Sequence, residues 1–327
     1  EQRDVDRLFS LIREMRTRQI TVIYISHFLE EIREIADEYT VLRDGFNVAG
    51  GQLNCVSNRK LVTQMVGRSV ENLFPRHPPS KGGEVILKVN NLTTFAALKD
   101  ISFEVRRGEI LGIAGLIGSG RTELIRTLYG LLPAQSGSCV VGCYRLNVSK
   151  ADPFLRISNG LGYVSEDRKG EGLALALSVA DNMTLSSLSS CAPWGWLSRT
   201  RQGMATEKWM KKLSVKADTP MQPVRTLSGG NQQKVALGRL LHQQADVLLL
   251  DEPTRGIDIG SKVQIYEAIA RCAMENKAVL IASSYLPELF GLCDRLAVMN
   301  RGRLSNARSI EHWTPESVMQ AAIAGGG

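Results

Sequence analysis

The segment GLIGSGRT, residues 115–122, has glycines, a cation and a hydroxyl at the spacing of a phosphate-binding loop. In such a loop the backbone amides point at phosphate oxygens, and a hydroxyl at the position of Thr122 binds Mg²⁺. Arg121 stands where these loops normally carry lysine, so the geometry around the phosphates must differ. The alternative is a strand-to-helix corner with incidental glycines. The candidate nucleotide-binding residues are Gly115, Gly118, Ser119, Gly120, Arg121 and Thr122.

A second segment, VLLLDEPT at residues 247–254, has the pattern of a buried strand that ends in two carboxylates. Asp251 suits the coordination shell of Mg²⁺, usually through water. Glu252 can orient and deprotonate an attacking water. An ordinary strand followed by an acidic turn would look the same. The phosphate-binding loop and the acidic strand together, in this order, make coincidence improbable.

The third segment, LSGGNQQK at residues 227–234, places a serine and two glycines at a predicted helix start. Such a start is an anion-binding nest of backbone amides, although simple helix capping is the alternative. One nucleotide rarely needs two such starts from one domain. The two segments are therefore predicted to lie on separate sides of a two-domain interface. The candidate residues are Leu227, Ser228, Gly229, Gly230 and Asn231.

The elements around these segments have an α/β pattern. An apolar strand precedes the loop at 115–122, and leucines and isoleucine at helical spacing follow it. EVILKVNNL and LKDISFEV are predicted to form paired strands that open a domain. Residues 174–226 are predicted to be mainly helical, and two tryptophans, Trp194 and Trp196, lie in a predicted turn. We expect them to be exposed, either in a partner contact or anchoring the local fold.

An internal repeat indicates the domain organisation. Residues 21–45 and 278–302 align without a gap, pairing Ser26 with Ser283 and Glu31 with Glu288. Each copy is predicted to run strand, turn, helix, strand. We therefore expect residues 1–70 to be the C-terminal part of one domain and residues 71–83 to be a linker. Residues 84–327 are expected to form a complete homologous domain.

Composition narrows the function classes. The formal net charge is +7, but the basic residues occur in short doublets without interleaved aromatics, so nucleic acid is not an expected partner. Mild positive charge also suits a nucleotide-binding protein beside an anionic membrane surface. No apolar run reaches the roughly 18 residues that a membrane span needs. The scattered cysteines favour reduced thiols over a zinc site.

Four segments closely resemble ATP-binding-cassette subunits of the carbohydrate-import type: GLIGSGRT, YVSEDRKGEGL, LSGGNQQK and VLLLDEPTRGID. In that type two cassettes are fused in one chain. The resemblance implies a P-loop NTPase fold of the ABC type, with a mixed sheet core and a helical subdomain at about 174–226. The C-terminal remnant of a second such domain would precede it. The implied cofactors are ATP and Mg²⁺.

In this family the cassettes pair head to tail, and each ATP lies between the phosphate loop of one and the signature segment of the other. By resemblance, Ser228–Asn231 would cap a γ-phosphate on another cassette, and Asp258 would lie at the dimer seam. Glu166 occupies the position of a glutamine that senses Mg²⁺ and contacts the membrane subunit. Ser284 stands where the repeat has His27, which resembles the switch histidine of the family. Phe95 is a candidate for adenine stacking, with a core position as the alternative.

The resemblance implies an ATPase subunit on the cytoplasmic face of the cell membrane. It would energise sugar import with integral membrane permease subunits and, indirectly, a periplasmic or extracellular solute-binding protein. Arg121, Glu166 and Ser284 depart from the family pattern, whereas Glu252 is kept. We therefore expect the loop at 115–122 to bind ATP with weak or no turnover. A non-hydrolysing regulatory module is the alternative. A soluble translation-associated cassette protein is disfavoured because residues 68–83 are too short and proline-rich for its charged helical linker.

Overall fold

The computed structural model describes residues 2–26, 29–43, 45–67, 74–75 and 82–324. The chain divides into two compact units. Unit one comprises residues 1–73 together with 258–260, and unit two comprises residues 74–257 and 261–327. Most of the predicted linker at 71–83 lies outside the described residues.

Within the described residues, unit one contains three α-helices and a hairpin: α1 (Gln2–Thr17), α2 (Leu29–Ile35), β1 (Glu38–Arg43), β2 (Phe46–Gln52) and α3 (Asn58–Val66). Its small core is built on Leu53, Val56 and Leu61. The strand predicted at the start of residues 21–45 is wrong, because residues 20–26 have no regular structure. Ile23 and Ile25 are 88% and 91% exposed. A strand needs a hydrogen-bonded neighbour, and within the described residues this segment has none.

Unit two contains two sheets, and its strands are β3 (Val85–Thr93), β4 (Ile101–Arg106), β5 (Ile110–Gly115), β6 (Ser136–Val141), β7 (Tyr144–Leu146), β8 (Leu161–Val164), β9 (Val247–Asp251), β10 (Ala278–Ala282), β11 (Arg295–Asn300), β12 (Arg303–Leu304) and β13 (Arg308–Ser309). Its helices are α4 (Arg121–Tyr129), α5 (Pro153–Ser158), α6 (Val179–Thr184), α7 (Arg199–Lys212), α8 (Gly229–Gln243), α9 (Ile259–Met274), α10 (Leu286–Leu292) and α11 (Pro315–Ala324). The first two residues of α9 are counted in unit one.

The main sheet has the order β12-β11-β5-β10-β9-β8, with β13 also paired to β11. Strands β11, β5, β10, β9 and β8 are parallel, whereas β12 and β13 are antiparallel to β11. The predicted pairing of EVILKVNNL with LKDISFEV is confirmed: β3 and β4 are antiparallel neighbours in the second sheet, whose order is β4-β3-β6-β7. The mixed sheet core predicted from the sequence is therefore present.

The parallel strands are buried on both faces, which explains why they are apolar throughout rather than alternating. Successive residues of β9 point into different core clusters: Leu248 and Leu250 pack on one side, Val247 and Leu249 on the other. At the carboxyl end of β9 the chain reaches Asp251, which is fully buried. The main sheet thus fixes the position of Asp251 and of Glu252, which follows it.

Residues 174–226 contain α6, α7 and several short 3₁₀ segments, so the mainly helical prediction is confirmed. Trp194 and Trp196 are 97% and 82% exposed, which confirms their predicted exposure. Because neither ring is buried, the alternative that they anchor the local fold is wrong. In the part of the chain that the structure describes, every helix is too short or too polar to cross a bilayer.

Candidate nucleotide-binding site

The loop at residues 115–122 connects β5 to α4, as the predicted strand–loop–helix context requires. Gly118 and Gly120 have positive φ angles of 76° and 110°, which glycine adopts without strain. A Cβ atom at Gly115 would lie 2.6 Å from the Met299 carbonyl oxygen. The glycines are therefore needed for the turn itself, and they leave the amides at the start of α4 open toward a phosphate.

Arg121, the first residue of α4, forms an ion pair with Glu252 just beyond β9. Its Nη2 lies 3.2 Å from Oε1 of Glu252, and the two side chains are only 8% and 10% exposed. The Glu252 carboxylate also accepts hydrogen bonds from the Ser284 amide, at 2.7 Å, and the Ser283 hydroxyl, at 3.4 Å. The side chain that would activate water is thus held by three neighbours.

Burial lowers the pKa of the Arg121 guanidinium, and the carboxylates of Glu252 and Asp251 oppose this shift. The second terminal nitrogen of Arg121, Nη1, is buried and has no hydrogen-bond partner among the residues that the structure describes. A buried donor without a partner costs free energy. An anionic phosphate oxygen would accept a hydrogen bond from this nitrogen. Arg121 thus pairs with Glu252 through Nη2 and can offer Nη1 to a phosphate.

Asp251 and Thr122 lie together where a Mg²⁺ ion would bind. Burial raises the pKa of Asp251 to about 6, whereas a hydrogen bond with Thr122 lowers it. Within the described part of the chain, Oδ2 of Asp251 and Oγ of Ser119 are buried without hydrogen-bond partners. Mg²⁺ prefers oxygen ligands and usually takes only one or two from protein, with phosphate and water completing the shell. The residues present therefore fit the ion.

The residues at the start of α8 form a second cluster. Ser228 caps this helix: its Oγ accepts hydrogen bonds from the backbone amide of Asn231, at 3.5 Å, and from the Asn231 side chain, at 3.0 Å. Arg168 donates to the carbonyl of Gly229 at 2.6 Å and to that of Gly256 at 3.4 Å. A cleft of about 420 Å³ opens here, lined by Arg168, Lys169, Leu175, Arg225, Leu227, Gly229, Gln232 and Gly256. Its three cations suit an anion.

The remaining predicted site residues lie apart from the contacts described above or outside the described residues. Glu166 forms an ion pair with Arg255, in the turn that follows Glu252. Asp258 is exposed immediately before α9. Phe95 is 77% exposed, so its core alternative is wrong. His27 lies outside the described residues.

Two residues in contact with these clusters were not assigned to a site by sequence reasoning: Ser283 and Arg168. Ser283 had a signal, because it is matched by Ser26 in the internal repeat. Arg168 had no separate signal, because the resemblance depends on the whole segment YVSEDRKGEGL and not on this residue.

The arrangement can bind a Mg²⁺–triphosphate at the loop, with Asp251 and Thr122 toward the metal and Arg121 toward phosphate. A family model described as ABC transporter matches residues 98–255. Among curated proteins, a ribose import ATP-binding protein of Rubrobacter xylanophilus is 43% identical over 98% of this chain and 64% of its own length. Another, of Clostridium tetani, is 41% identical over 98% of this chain and 63% of its own length. The chain thus spans a little under two thirds of these relatives.

Solved structures give the same fold. A dimeric cassette in a post-hydrolysis state bound to ADP and Pi has a TM-score of 0.60 at 20% identity, covering 70% of this chain and 100% of its own. An ATP-binding cassette of an ABC transporter in its ADP conformation has a TM-score of 0.58 at 20% identity, covering 73% of this chain and 95% of its own. The fold is that of an ABC-type P-loop NTPase.

Proposed function

We propose that the chain contains an ATP-binding domain of the ABC transporter family and that it binds Mg²⁺–ATP to energise solute import through membrane permease subunits. The convergence of the loop at 115–122 with Asp251 and Glu252 carries this proposal, because it supplies phosphate, metal and water-activating groups in one place. The ribose import relatives favour a sugar as the solute. The subunit would work at the cytoplasmic face of the membrane, with a solute-binding protein on the other side.

We further propose that this site binds ATP with weak turnover. A general base must be free to reach its water, but Glu252 is paired with Arg121 and hydrogen-bonded by Ser283 and Ser284. Lysine would place a compact ammonium here, whereas the arginine fork engages the carboxylate and still offers Nη1 to a phosphate. Ser284, unlike histidine, brings no imidazole to the γ-phosphate.

The cluster at the start of α8, residues 228–231, is proposed to bind the γ-phosphate of a nucleotide held on another cassette. That cassette would lie either in a longer form of this protein or in a second copy. The capped start of α8 and the cationic cleft beside Arg168 support this role, since both favour a phosphate. Asp258 would lie near the seam between cassettes. Residues 1–70 are proposed to belong to a first cassette and residues 84–327 to a second.

Equilibrium binding of Mg²⁺–ATP to the chain tests the proposed site. Thr122→Ala is expected to weaken Mg²⁺-dependent ATP binding by about tenfold, because it removes a metal-facing hydroxyl. Thr219→Ala, at an exposed position away from the site, is the matched control and should bind like the unaltered chain. If the unaltered chain fails to bind ATP, or both variants behave alike, the assignment is wrong.

The second candidate function is a nucleotide-binding regulatory module without turnover. The pairing of Glu252 with Arg121 favours it for this site taken alone. The two candidates differ in partners: an importer subunit co-purifies with permease subunits and raises their solute transport when ATP is present. A regulatory module binds ATP equally well but does not support transport.

A further inference from the structure

A buried carboxylate lies behind the turn that carries Glu252. Glu288, in α10, is 0% exposed. Its Oε2 accepts hydrogen bonds from the Thr254 hydroxyl and from the Tyr266 hydroxyl, the latter at 3.1 Å. Thr254 and Tyr266 are themselves only 4% and 2% exposed. A fully buried acid is expensive to keep, so its position calls for a physical reason.

The turn itself needs to be held in place. Glu252 has a φ angle of 45°, in the left-handed region that non-glycine residues rarely adopt, and such residues persist only when their surroundings impose the conformation. The Glu252 amide donates to the Ala282 carbonyl at 2.8 Å, and the Arg255 amide donates to the Glu252 carbonyl at 3.1 Å. The contact from Thr254 to Glu288 is the buried one that ties the turn to α10.

The segment that leads into the same helix contacts the Glu252 side chain. Ser283 and Ser284, which donate to the Glu252 carboxylate, lie just before α10, and the Glu288 amide donates to the Tyr285 carbonyl at 3.1 Å. The segment 283–288 therefore contacts both the backbone turn and the carboxylate.

The internal repeat provides an independent observation. Glu31 matches Glu288 in the first copy, and it also accepts hydroxyl hydrogen bonds, from Tyr24 at 2.6 Å and from Ser26 at 2.8 Å. A glutamate at this position thus accepts hydroxyl hydrogen bonds in both copies, from the preceding segment in the first copy and from the turn after β9 and from α9 in the second.

We infer that Glu288 is a positioning residue for Glu252: through Thr254 it fixes the turn that aims the Glu252 carboxylate at the phosphate-binding loop. Tyr266 holds Glu288 in the orientation that Thr254 requires. This inference rests on the proposed function only for its consequence in ATP hydrolysis, because the buried hydrogen bonds exist without nucleotide.

Hydrogen exchange of backbone amides in the full chain tests the inference directly. Glu288→Leu removes the acceptor, and the amides of residues 252 and 254–256 are expected to exchange about tenfold faster while those of β9 stay nearly unchanged. Glu288→Gln keeps an oxygen for Thr254 and Tyr266 and should restore slow exchange. Thr254→Val removes the same hydrogen bond from the other side and is the second variant should the leucine variant not fold.

Mg²⁺–ATP affinity and single-turnover hydrolysis are then measured on the same variants made in an Arg121→Lys background, in which Glu252 is released from Arg121 and hydrolysis is expected to be fast enough to measure. Glu288→Leu and Thr254→Val should lower the hydrolysis rate while leaving affinity nearly unchanged, and Glu288→Gln should retain the rate. Unchanged exchange at residues 252 and 254–256, or faster exchange spread equally over β9, α9 and α10, overturns the inference. A chain that binds no ATP instead overturns the proposed function, and the exchange measurement still decides the role of Glu288.

Discussion

Glu252 combines a strained backbone with a fully engaged side chain. Its left-handed φ is held by contacts on both sides of the turn, and its carboxylate is shared among Arg121, Ser283 and Ser284. These contacts support the proposal that Glu252 is well placed but not free to accept a proton from water. Arg121, which stands where such loops normally carry lysine, thus contacts a carboxylate more than a hundred positions away in the sequence.

Glu288 gives a prediction at the residue scale. Burial raises its pKa from 4.5 to about 7, while hydrogen bonds from Thr254 and Tyr266 and the cation of Lys262 lower it, and Glu252 raises it further. The folded state therefore binds the proton more tightly than the unfolded state. The contribution of Glu288 to stability is fully present below pH 4.5 and is lost as the pH rises through about 7.

Glu288→Gln should remove this dependence. We expect the variant to be more stable than the unaltered chain at pH 8, by on the order of a few kcal/mol, and to lose the advantage near pH 4.5. Urea unfolding across this pH range measures the effect. Parallel curves for the two proteins would contradict the raised pKa.

At the scale of elements, close packing of strands against helices fixes the sheet beneath the site. Gly162 in β8 faces α8 so closely that a Cβ would lie 2.6 Å from Leu240 Cγ and 3.0 Å from the Ala245 Cβ. Gly203 in α7 is a useful contrast, because a Cβ there meets nothing within 4 Å. A side chain is therefore excluded by crowding at Gly162 but not at Gly203.

Alanine at each position should therefore act in opposite directions. Gly162→Ala is expected to lower the free energy of unfolding by about 1–3 kcal/mol through overpacking. Gly203→Ala is expected to raise it by about 0.5–1 kcal/mol, because alanine favours a helix interior over glycine. Denaturant unfolding of both variants measures the difference, and a neutral Gly162→Ala would show that α8 can move away from β8.

Several elements of unit two follow from the sequence because they have distinct local patterns. The apolar runs of β9 and β10 predict strands, and the glycines around Arg121 predict the loop before α4. The failure at residues 20–26 has a clear reason: strand propensity at Ile23 and Ile25 has no consequence without a neighbouring strand. The Arg121–Glu252 pair was also beyond prediction, since it depends on side-chain geometry between distant segments.

At the scale of the whole molecule, the described residues include a candidate triphosphate site at the loop and, at α8, a helix start that is proposed to bind a phosphate on another cassette. At the loop Arg121 is paired with Glu252, and at α8 Ser228 caps the helix. Under the proposed function, binding and hydrolysis are therefore expected to separate: this chain would hold ATP, and turnover would take place at the site on the other cassette.

The most direct test measures Mg²⁺–ATP binding and single-turnover hydrolysis side by side on the chain, at concentrations that allow two copies to pair. We predict that the unaltered chain retains unhydrolysed ATP tightly. Arg121→Lys should hydrolyse at least about tenfold faster, because lysine releases Glu252, while Arg126→Lys on the same helix should match the unaltered chain. Rapid turnover by the unaltered chain, equal to that of Arg121→Lys, would contradict the proposal that Arg121 restrains Glu252.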